Sequence, residues 1–284
     1  MKIDMHCHTK EGSIDAKVPV EKYIRKLISK GFDGMLVTDH NSYKGYLKFK
    51  DIVDKLRLDK NFVVLKGIEY DTRDGGHMIV ILPDHIKDAF MQIRGLTVSQ
   101  LEKIVHRLGG ILGPAHPFGT GYFAYANTKF GKKHPEFVKK FDFIEALNAG
   151  TKEMANIRAN LFAQMHKLPM ITGSDAHKEK NAGYAYTVFK DRIRSNNDLI
   201  SAIKTHRKYI SRGMTGNHEN LRKNIMIEGT ITEEMKMKKN AVIVKLGVIG
   251  YWVYNKAGAL FNHSRIKRLI LLHNMHNCGI INKV

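Results

Sequence analysis

The sequence contains little cysteine. Its 284 residues include two cysteines, Cys7 and Cys278. Two cysteines cannot build a disulfide framework, which favours a reducing compartment, and we expect a cytoplasmic protein. Near the N-terminus, Asp4, His6 and His8 stand where a secretion signal would need an unbroken apolar run. We therefore expect no signal peptide.

The sequence also lacks a long uninterrupted apolar stretch. The most membrane-like segment is residues 241–261, where Lys245 and Lys256 leave Leu246 to Asn255 as the longest uncharged run. A transmembrane helix needs about 20 predominantly apolar residues. We therefore expect no membrane span.

Acidic residues are scarce relative to basic ones. The chain has 27 Asp and Glu against 47 Lys and Arg, which gives a net charge of +20. Such a charge attracts anions, so phosphorylated metabolites, short nucleic acids and acidic membrane surfaces are all compatible with it, and so is simple solubility. The basic excess is largest after Lys204, where the only acidic residues are Glu219, Glu228, Glu233 and Glu234.

Short apolar runs alternate with helical patterns along most of the chain. One helix is indicated by Pro19 at its start and Gly31 at its end, and another by a capping box formed by Thr97 and Gln100. The apolar runs are rich in Val and Ile and lack polar alternation, which is typical of buried parallel strands. They are Lys2–His6, Gly34–Thr38, Phe62–Gly67, Met78–Leu82, Ile111–Pro114, Phe141–Leu147 and Met170–Thr172.

Strand–helix alternation of this kind predicts an α/β fold with a parallel sheet, and seven strands favour a barrel that resembles a TIM barrel. The alternation weakens after Arg212. We therefore predict a barrel domain over residues 1–212 and a basic C-terminal extension of unknown role over residues 213–284.

Metal-ligand side chains recur at the ends of the predicted strands. In parallel α/β barrels, active sites form at that face from several strand ends. Six of the fifteen histidines lie there, with carboxylates beside them, and this convergence predicts a metal centre. The residues concerned are His6, His8, Asp15, Asp39, His40, Glu69, His77, His116, Asn148, Asp175 and His177.

Local spacing supports this prediction. Alternate side chains of a strand share a face, so His6 and His8 should point together, and so should Asp175 and His177. Cys7 should then point away towards the helices as a packed thiol. Imidazole with carboxylate suits zinc, manganese or iron better than magnesium or calcium.

Each residue also has a purely structural interpretation when it is taken alone. His77 follows two glycines and could be a turn residue, His116 could be held in a loop by Pro117, and Asp15 could form a turn. We expect Asp39 to orient a ligand rather than to bind a metal. The prediction of a metal site would fail only if all of these structural interpretations were correct at once.

The motifs that carry these residues resemble the polymerase and histidinol phosphatase (PHP) domain family, over Met1 to Phe189. The resemblance implies a distorted seven-stranded barrel with two or three divalent metal ions, and its closest match is the stand-alone phosphoesterase branch. The metal ligands that it implies are His6, His8, Asp15, His40, Glu69, His77, His116, Asp175 and His177. The motifs are MHCHTKEGSID, LVTDHN, GIEY, GGH, GPAHP and ITGSDAH.

The function hypothesis is metal-dependent hydrolysis of a small phosphate monoester, with a nucleotide or nucleotide bisphosphate ahead of a sugar phosphate. Clustered metals activate water and neutralise phosphate oxygens, and we expect Asp175 and His177 to be catalytic through control of the water's proton. Possible substrate-binding residues are Asn148, Lys152, Arg158 and Lys178, although solvated surface charge explains the last three equally well.

Four alternatives stay open. They are a histidinol-phosphate-type phosphatase, a 5′–3′ exonuclease on short oligonucleotides, a C–N amidohydrolase and a non-catalytic basic binding module. The basic C-terminal region fits the exonuclease, because neutralising phosphates dominates nucleic-acid affinity. Amidohydrolases usually bridge their metals with a modified lysine, whereas Glu69 occupies that place here and Lys66 is set back from it. The sequence indicates no oligomeric state.

Overall fold

The structure, a computed structural model, describes residues 1–56, 62–86, 93–205, 209–214 and 224–227. The strands in this part of the chain are β1 (Lys2–Cys7), β2 (Gly34–Val37), β3 (Val63–Lys66), β4 (Ile68–Thr72), β5 (Gly76–Ile81), β6 (Ile111–Pro114), β7 (Ile144–Asn148), β8 (Met170–Gly173), β9 (Ala185–Phe189), β10 (Tyr209–Met214) and β11 (Asn224–Ile227). The α-helices are α1 (Val20–Ser29), α2 (Lys44–Leu56), α3 (Val98–Arg107), α4 (Lys129–Lys133), α5 (Glu153–His166) and α6 (Asn196–Lys204).

The helices begin and end where local chemistry places their boundaries. Helix α1 follows Pro19 and buries one apolar face against the sheet, formed by Val20, Tyr23, Ile24 and Leu27. Helix α3 starts at the expected capping box, in which the Thr97 side chain accepts from the Gln100 amide and the Gln100 side chain accepts from the Thr97 amide. No bounds were predicted from the sequence for α2 or α4.

The mixed α/β class is confirmed, and the strands form three sheets. The six-stranded sheet has the order β11-β10-β9-β1-β2-β3, and β4-β5-β6 and β7-β8 form the other two. Bridges between Cys7 and Ala176 and between His40 and Glu69 join neighbouring sheets. Over the described residues, the sheets do not close into one continuous hydrogen-bonded barrel.

Strand direction departs from the expected parallel arrangement. Strand β1 pairs in parallel with β2, β2 with β3, and β7 with β8, but β5 is antiparallel to both β4 and β6. The reason is the connection over residues 73–75, which is far too short for the crossover that a parallel pair requires. The start of β5 therefore lies beside the end of β4.

Four strands, β4, β9, β10 and β11, were not predicted from the sequence. Strand β9 runs antiparallel to β1, and β10 runs antiparallel to β9. The predicted domain boundary after Arg212 falls inside β10 (Tyr209–Met214), and the division into two domains remains a prediction. Most of the predicted basic extension lies outside the described residues.

An apolar core lies between the sheets. Ile3 and Met5 of β1 pack there with Leu36, Leu65 and Ile171, and all five are at most 2% exposed. No helix among the residues that the structure describes is both long and apolar enough to cross a bilayer. The membrane-like segment of residues 241–261 lies outside them.

Candidate metal centre

The end of β1 places two imidazoles side by side. His6 and His8 are fully buried, and their Nε2 atoms are 3.0 Å apart. The expected shared face is therefore confirmed. Cys7, between them, packs with Val20 and Tyr23 on the helix side, as expected of a packed thiol.

Glu69, fully buried near the start of β4, lies at the middle of the cluster. Its Oε2 atom is 3.2 Å from His6 Nε2, 3.2 Å from His8 Nε2 and 3.1 Å from His40 Nδ1. Despite these three neighbours, this buried oxygen forms no hydrogen bond. Three imidazole nitrogens and one carboxylate oxygen therefore converge without forming hydrogen bonds to that oxygen.

The other Glu69 oxygen contacts two more imidazoles. Oε1 is 2.9 Å from His77 Nδ1 and 2.9 Å from His116 Nε2. His77 reaches it because β5 runs antiparallel, so that the start of this strand lies at the same edge as the end of β6, which His116 follows.

The segment after β8 adds Asp175 and His177. Asp175 Oδ1 is 3.1 Å from His8 Nε2, and the His177 ring stacks on the His8 ring with centroids 4.2 Å apart. Asp15 lies at the exposed edge of the cluster, which we call its mouth. Its Oδ2 atom is 3.1 Å from His177 Nε2 and 3.5 Å from His40 Nε2. The structure thus brings all nine predicted ligand residues into one cluster.

The backbone is strained at this cluster. His116, Asp175 and Asn41, which follows His40, have φ angles of 31°, 51° and 48°. Left-handed conformations cost non-glycine residues about 1–3 kcal/mol and concentrate at functional sites. Lys167, at the end of α5, is the other non-glycine residue with positive φ in the described chain.

Glu145 supports the cluster, and sequence reasoning missed it. This fully buried carboxylate accepts from His6 Nδ1 at 2.9 Å through Oε1, and from the His116 amide at 2.6 Å through Oε2. A carboxylate on Nδ1 fixes the imidazole with its Nε2 lone pair free for a metal. The available signal was a charged residue inside the apolar run FDFIEALN.

Asn148, like Glu145, supports the cluster from behind the candidate ligands, and we call these residues, together with Asp39 and Ser13, the supporting layer. Its Nδ2 atom donates to Glu145 Oε2 at 3.0 Å and to Asp175 Oδ2 at 3.1 Å, and its Oδ1 accepts from the Gly150 amide at 2.8 Å. The side chain is fully buried. These contacts favour a positioning role, and substrate contact by Asn148 remains a prediction.

Asp39 holds the loop that carries Asp15. It accepts from the Thr9 amide at 2.6 Å and from Ser13 Oγ at 3.0 Å, and Ser13 Oγ lies 3.1 Å from His8 Nδ1. The orienting role expected of Asp39 remains a prediction. Ser13, which links Asp39 to His8, was not singled out from the sequence.

Burial and neighbouring charges shift the pKa values of the cluster residues in different directions. Burial alone would raise the pKa of Glu69, but His6 and His77 outweigh it and lower the pKa well below its usual range. Burial lowers the pKa of His8, but the neighbouring carboxylates of Asp175 and Glu69 raise it to about 9. Burial dominates at His40 and lowers its pKa to about 4.

The cluster fits divalent cations. Three sets of donors have ligand atoms that all lie within 4.8 Å of one another: His6, His8 and Asp175; His40, Glu69 and His77; and His8, His40 and His177. The unsatisfied Glu69 Oε2 shared between three imidazoles is the oxygen that a bound cation would satisfy. Mixed imidazole and carboxylate donors suit zinc, manganese or iron.

The three cationic side chains predicted to bind substrate are all exposed: Lys152 before α5, Arg158 on α5 and Lys178 next to His177. Within the described residues, no hydrogen bond or ion pair connects them to the cluster. Their role in substrate binding remains a prediction.

Comparisons with known proteins identify the family. A model of the PHP domain matches residues 4–147, about half of the chain, and a model described as PHP-associated matches residues 153–207. The chain therefore belongs to the PHP domain family, a family that includes metal-dependent phosphoesterases. No curated protein matches the chain.

Three solved structures are similar to this one. A two-domain protein of Bacteroides vulgatus that contains a predicted PHP-like metal-dependent phosphoesterase is 20% identical over 75% of this chain, with a TM-score of 0.54. PsfC of Pseudomonas syringae is 17% identical over 70% of this chain, with a TM-score of 0.54 and 87% of its own length covered. An amidohydrolase of Chromobacterium violaceum with bound sulfate and no metal is 12% identical over 72% of this chain, with a TM-score of 0.52 and 97% of its own length covered.

At these identities the likeness shows the fold alone. The chain spans 64% of the length of the Bacteroides protein. The activity named for that protein therefore bears on this chain only as a proposal.

Proposed function

We propose that this protein is a metal-dependent phosphatase that hydrolyses a phosphate monoester of a small molecule, a nucleotide or nucleotide bisphosphate in preference to a sugar phosphate. The observation that carries the proposal is the convergence of Glu69 with imidazoles from four other segments of the chain, His6, His40, His77 and His116. A buried group of this composition is costly to assemble unless it binds cations.

The nine ligand residues would hold two or three divalent cations, and their donors suit zinc, manganese or iron. Such a group, when bound, lowers the pKa of water and neutralises charge on phosphoryl oxygens. In the hydrolysis, a water oxygen forms a bond to phosphorus, the ester P–O bond breaks, and the alcohol leaves with a proton. The substrate is a phosphorylated small molecule, and the basic charge of the chain favours its approach.

Asp175 and His177 act on the proton of the attacking water. Both are partly exposed, with side chains 15% and 28% accessible, whereas His6, His8 and Glu69 are fully buried. Asn148 fixes one Asp175 oxygen by donating to Oδ2 at 3.1 Å, so the other oxygen keeps a constant direction. The exposed Lys152, Arg158 and Lys178 are candidates for contacts with non-bridging phosphate oxygens.

We further interpret the three sheets as a distorted seven-stranded barrel built from β1, β2, β3, β5, β6, β7 and β8. The bridge from Cys7 to Ala176 supports this interpretation, because it connects β1 with the segment that follows β8. Strand β4, separated from β3 only by Gly67, then continues β3, pairs with β5 and places Glu69 in the cluster.

C–N hydrolysis through a bridging lysine is disfavoured by Lys66. This residue is largely buried, and its Nζ donates to the carbonyl oxygen of Ile86 at 3.0 Å. Glu69, three residues later, occupies the middle of the cluster instead. Nuclease activity would draw on the basic residues after Lys204, most of which lie outside the described residues.

The test is a phosphate-release screen with added manganese, over nucleotides, nucleotide bisphosphates, sugar phosphates, histidinol phosphate and short oligonucleotides. His8→Ala and Asp175→Ala should abolish turnover, while circular dichroism shows a retained fold. Ile28→Ala, at an exposed site on α1, is the control and should retain full activity. Full activity of His8→Ala, or no release from any monoester by the metal-loaded wild type, contradicts the proposal.

A further inference from the structure

Two aromatic side chains are exposed in the loop that follows His116. Tyr122 is 70% exposed and Phe123 is 38% exposed, and their ring centroids are 4.1 Å apart with an interplanar angle of 36°. Single exposed apolar residues are ordinary on protein surfaces. An exposed pair of neighbouring rings needs an explanation from its location.

The pair lies at the metal cluster. The Phe123 ring is 4.7 Å from the His77 ring, and His77 Nδ1 is 2.9 Å from Glu69 Oε1. A continuous series of contacts therefore runs from the exposed Tyr122 ring to the centre of the candidate site. A ligand with its phosphate at the cluster has an aromatic surface beside it.

Hydrogen bonds and close packing hold the backbone of this loop in place. Asn127 Nδ2 donates to the carbonyl oxygens of Gly119 at 2.9 Å and Gly121 at 3.1 Å, which closes the loop on itself. Gly76, at the start of β5, has a φ of 77°, and a Cβ there would lie 2.3 Å from the Phe123 carbonyl oxygen. The loop backbone thus packs directly on the strand that carries His77, so the backbone that carries both rings has a defined position beside the cluster.

We propose that Tyr122 and Phe123 form a stacking platform for a planar aromatic ring in the leaving group of the substrate. The proposal rests on the proposed phosphatase function and narrows it to nucleotides rather than sugar phosphates. An aromatic ring covers the exposed Tyr122 face and removes apolar surface from water, whereas a sugar phosphate leaves that face solvated. Stacking is tolerant of base identity, so the platform selects for an aromatic base without choosing among bases.

The test compares the methylene phosphonate analogue of adenosine 5′-monophosphate with the same analogue of ribose 5-phosphate, which lacks the base. Neither analogue has an ester P–O bond that can be hydrolysed, so dissociation constants measured by calorimetry on the full chain with manganese do not depend on turnover. Wild type should bind the nucleotide more tightly, and Tyr122→Ala should reduce that advantage by about 5- to 150-fold, the range for loss of one base–aromatic stack. Tyr122→Phe should retain it, because the ring remains.

Ile28→Ala is the matched control, since it removes another exposed apolar side chain, 37% accessible, on α1. It should leave both dissociation constants unchanged. The proposal is overturned if wild type does not prefer the nucleotide, or if Tyr122→Ala keeps the preference. Phosphate release measured in parallel separates the two proposals: hydrolysis without a nucleotide preference defeats only the platform, and a nucleotide preference in binding without hydrolysis of any monoester defeats only the phosphatase.

Discussion

Replacing Glu145 with glutamine should weaken metal binding without removing any candidate ligand. In the native protein, His6 Nδ1 donates to Glu145 Oε1 at 2.9 Å, while Glu145 Oε2 accepts from the His116 amide at 2.6 Å and from Asn148 Nδ2 at 3.0 Å. A glutamine has one carbonyl oxygen for these three donors. The oxygen should face the two donors from His116 and Asn148, which turns the amide nitrogen towards His6.

The consequence is a change of tautomer at His6. Its Nδ1 would then accept a hydrogen bond, so the proton moves to Nε2, the atom that faces His8 and Glu69. A protonated Nε2 has no lone pair for a metal. Loss of such a supporting contact costs about 10- to 100-fold in metal affinity. This corresponds to about 1.4–2.7 kcal/mol.

The assay is competition for zinc or manganese against a chelator of known affinity, together with thermal unfolding of the metal-free protein. Glu102→Gln is the matched control, because Glu102 is also a largely buried carboxylate on a histidine Nδ1, 3.0 Å from His106, outside the cluster. Its metal affinity should equal that of wild type. An unchanged affinity in Glu145→Gln would refute the assignment of His6 as a ligand held by Glu145.

Three further predictions concern stability. The hydrogen bond to Asp142, opposed by burial, raises the pKa of His106 above its ordinary value of 6.5. This contact should therefore stabilise the fold fully below about pH 6.5 and lose that effect as the pH rises through the folded-state pKa. Urea unfolding from about pH 5 to about pH 9 should show that the difference in free energy of unfolding between wild type and His106→Gln narrows as the pH rises. Gly173→Ala should lower the free energy of unfolding by about 1–3 kcal/mol, because its Cβ would lie 2.2 Å from the Cβ of His6; an unchanged denaturation midpoint would contradict that packing. Metal at about 100 times its dissociation constant should raise the free energy of unfolding by about 2.7 kcal/mol, chelation should reverse the gain, and an undiminished gain in His8→Ala would argue against His8 as a ligand.

The sequence predicted which side chains meet in the cluster, because strand ends and side-chain types are both local features. His6 and His8 follow the strand period, and Asp175 and His177 repeat that spacing, so each pair could be placed without knowing the fold. Their meeting in one cluster required only that strand ends share an edge, which is a general property of parallel α/β folds.

Strand division, strand direction and long-range contacts could not be predicted from local sequence patterns. Strand β4 escaped prediction because only Gly67 separates it from β3, and the antiparallel direction of β5 follows from the connection over residues 73–75. Glu145 was missed because its role comes from His6, a residue 139 positions away in the sequence. Long-range pairing of this kind leaves only a weak local trace, a charged residue within an apolar strand.

The supporting layer explains how the fold holds so many like-charged and unsatisfied groups together. Glu145 holds His6 and the His116 backbone, and Asp39 reaches His8 through Ser13. These contacts keep the imidazoles converging on Glu69 Oε2, an oxygen that the protein itself leaves without a hydrogen bond. Because breaking a buried network leaves its partners unsatisfied, changes in this layer should affect metal binding and stability together. Changes at exposed Asp15, whose contacts are at the mouth, should affect metal binding with little loss of stability.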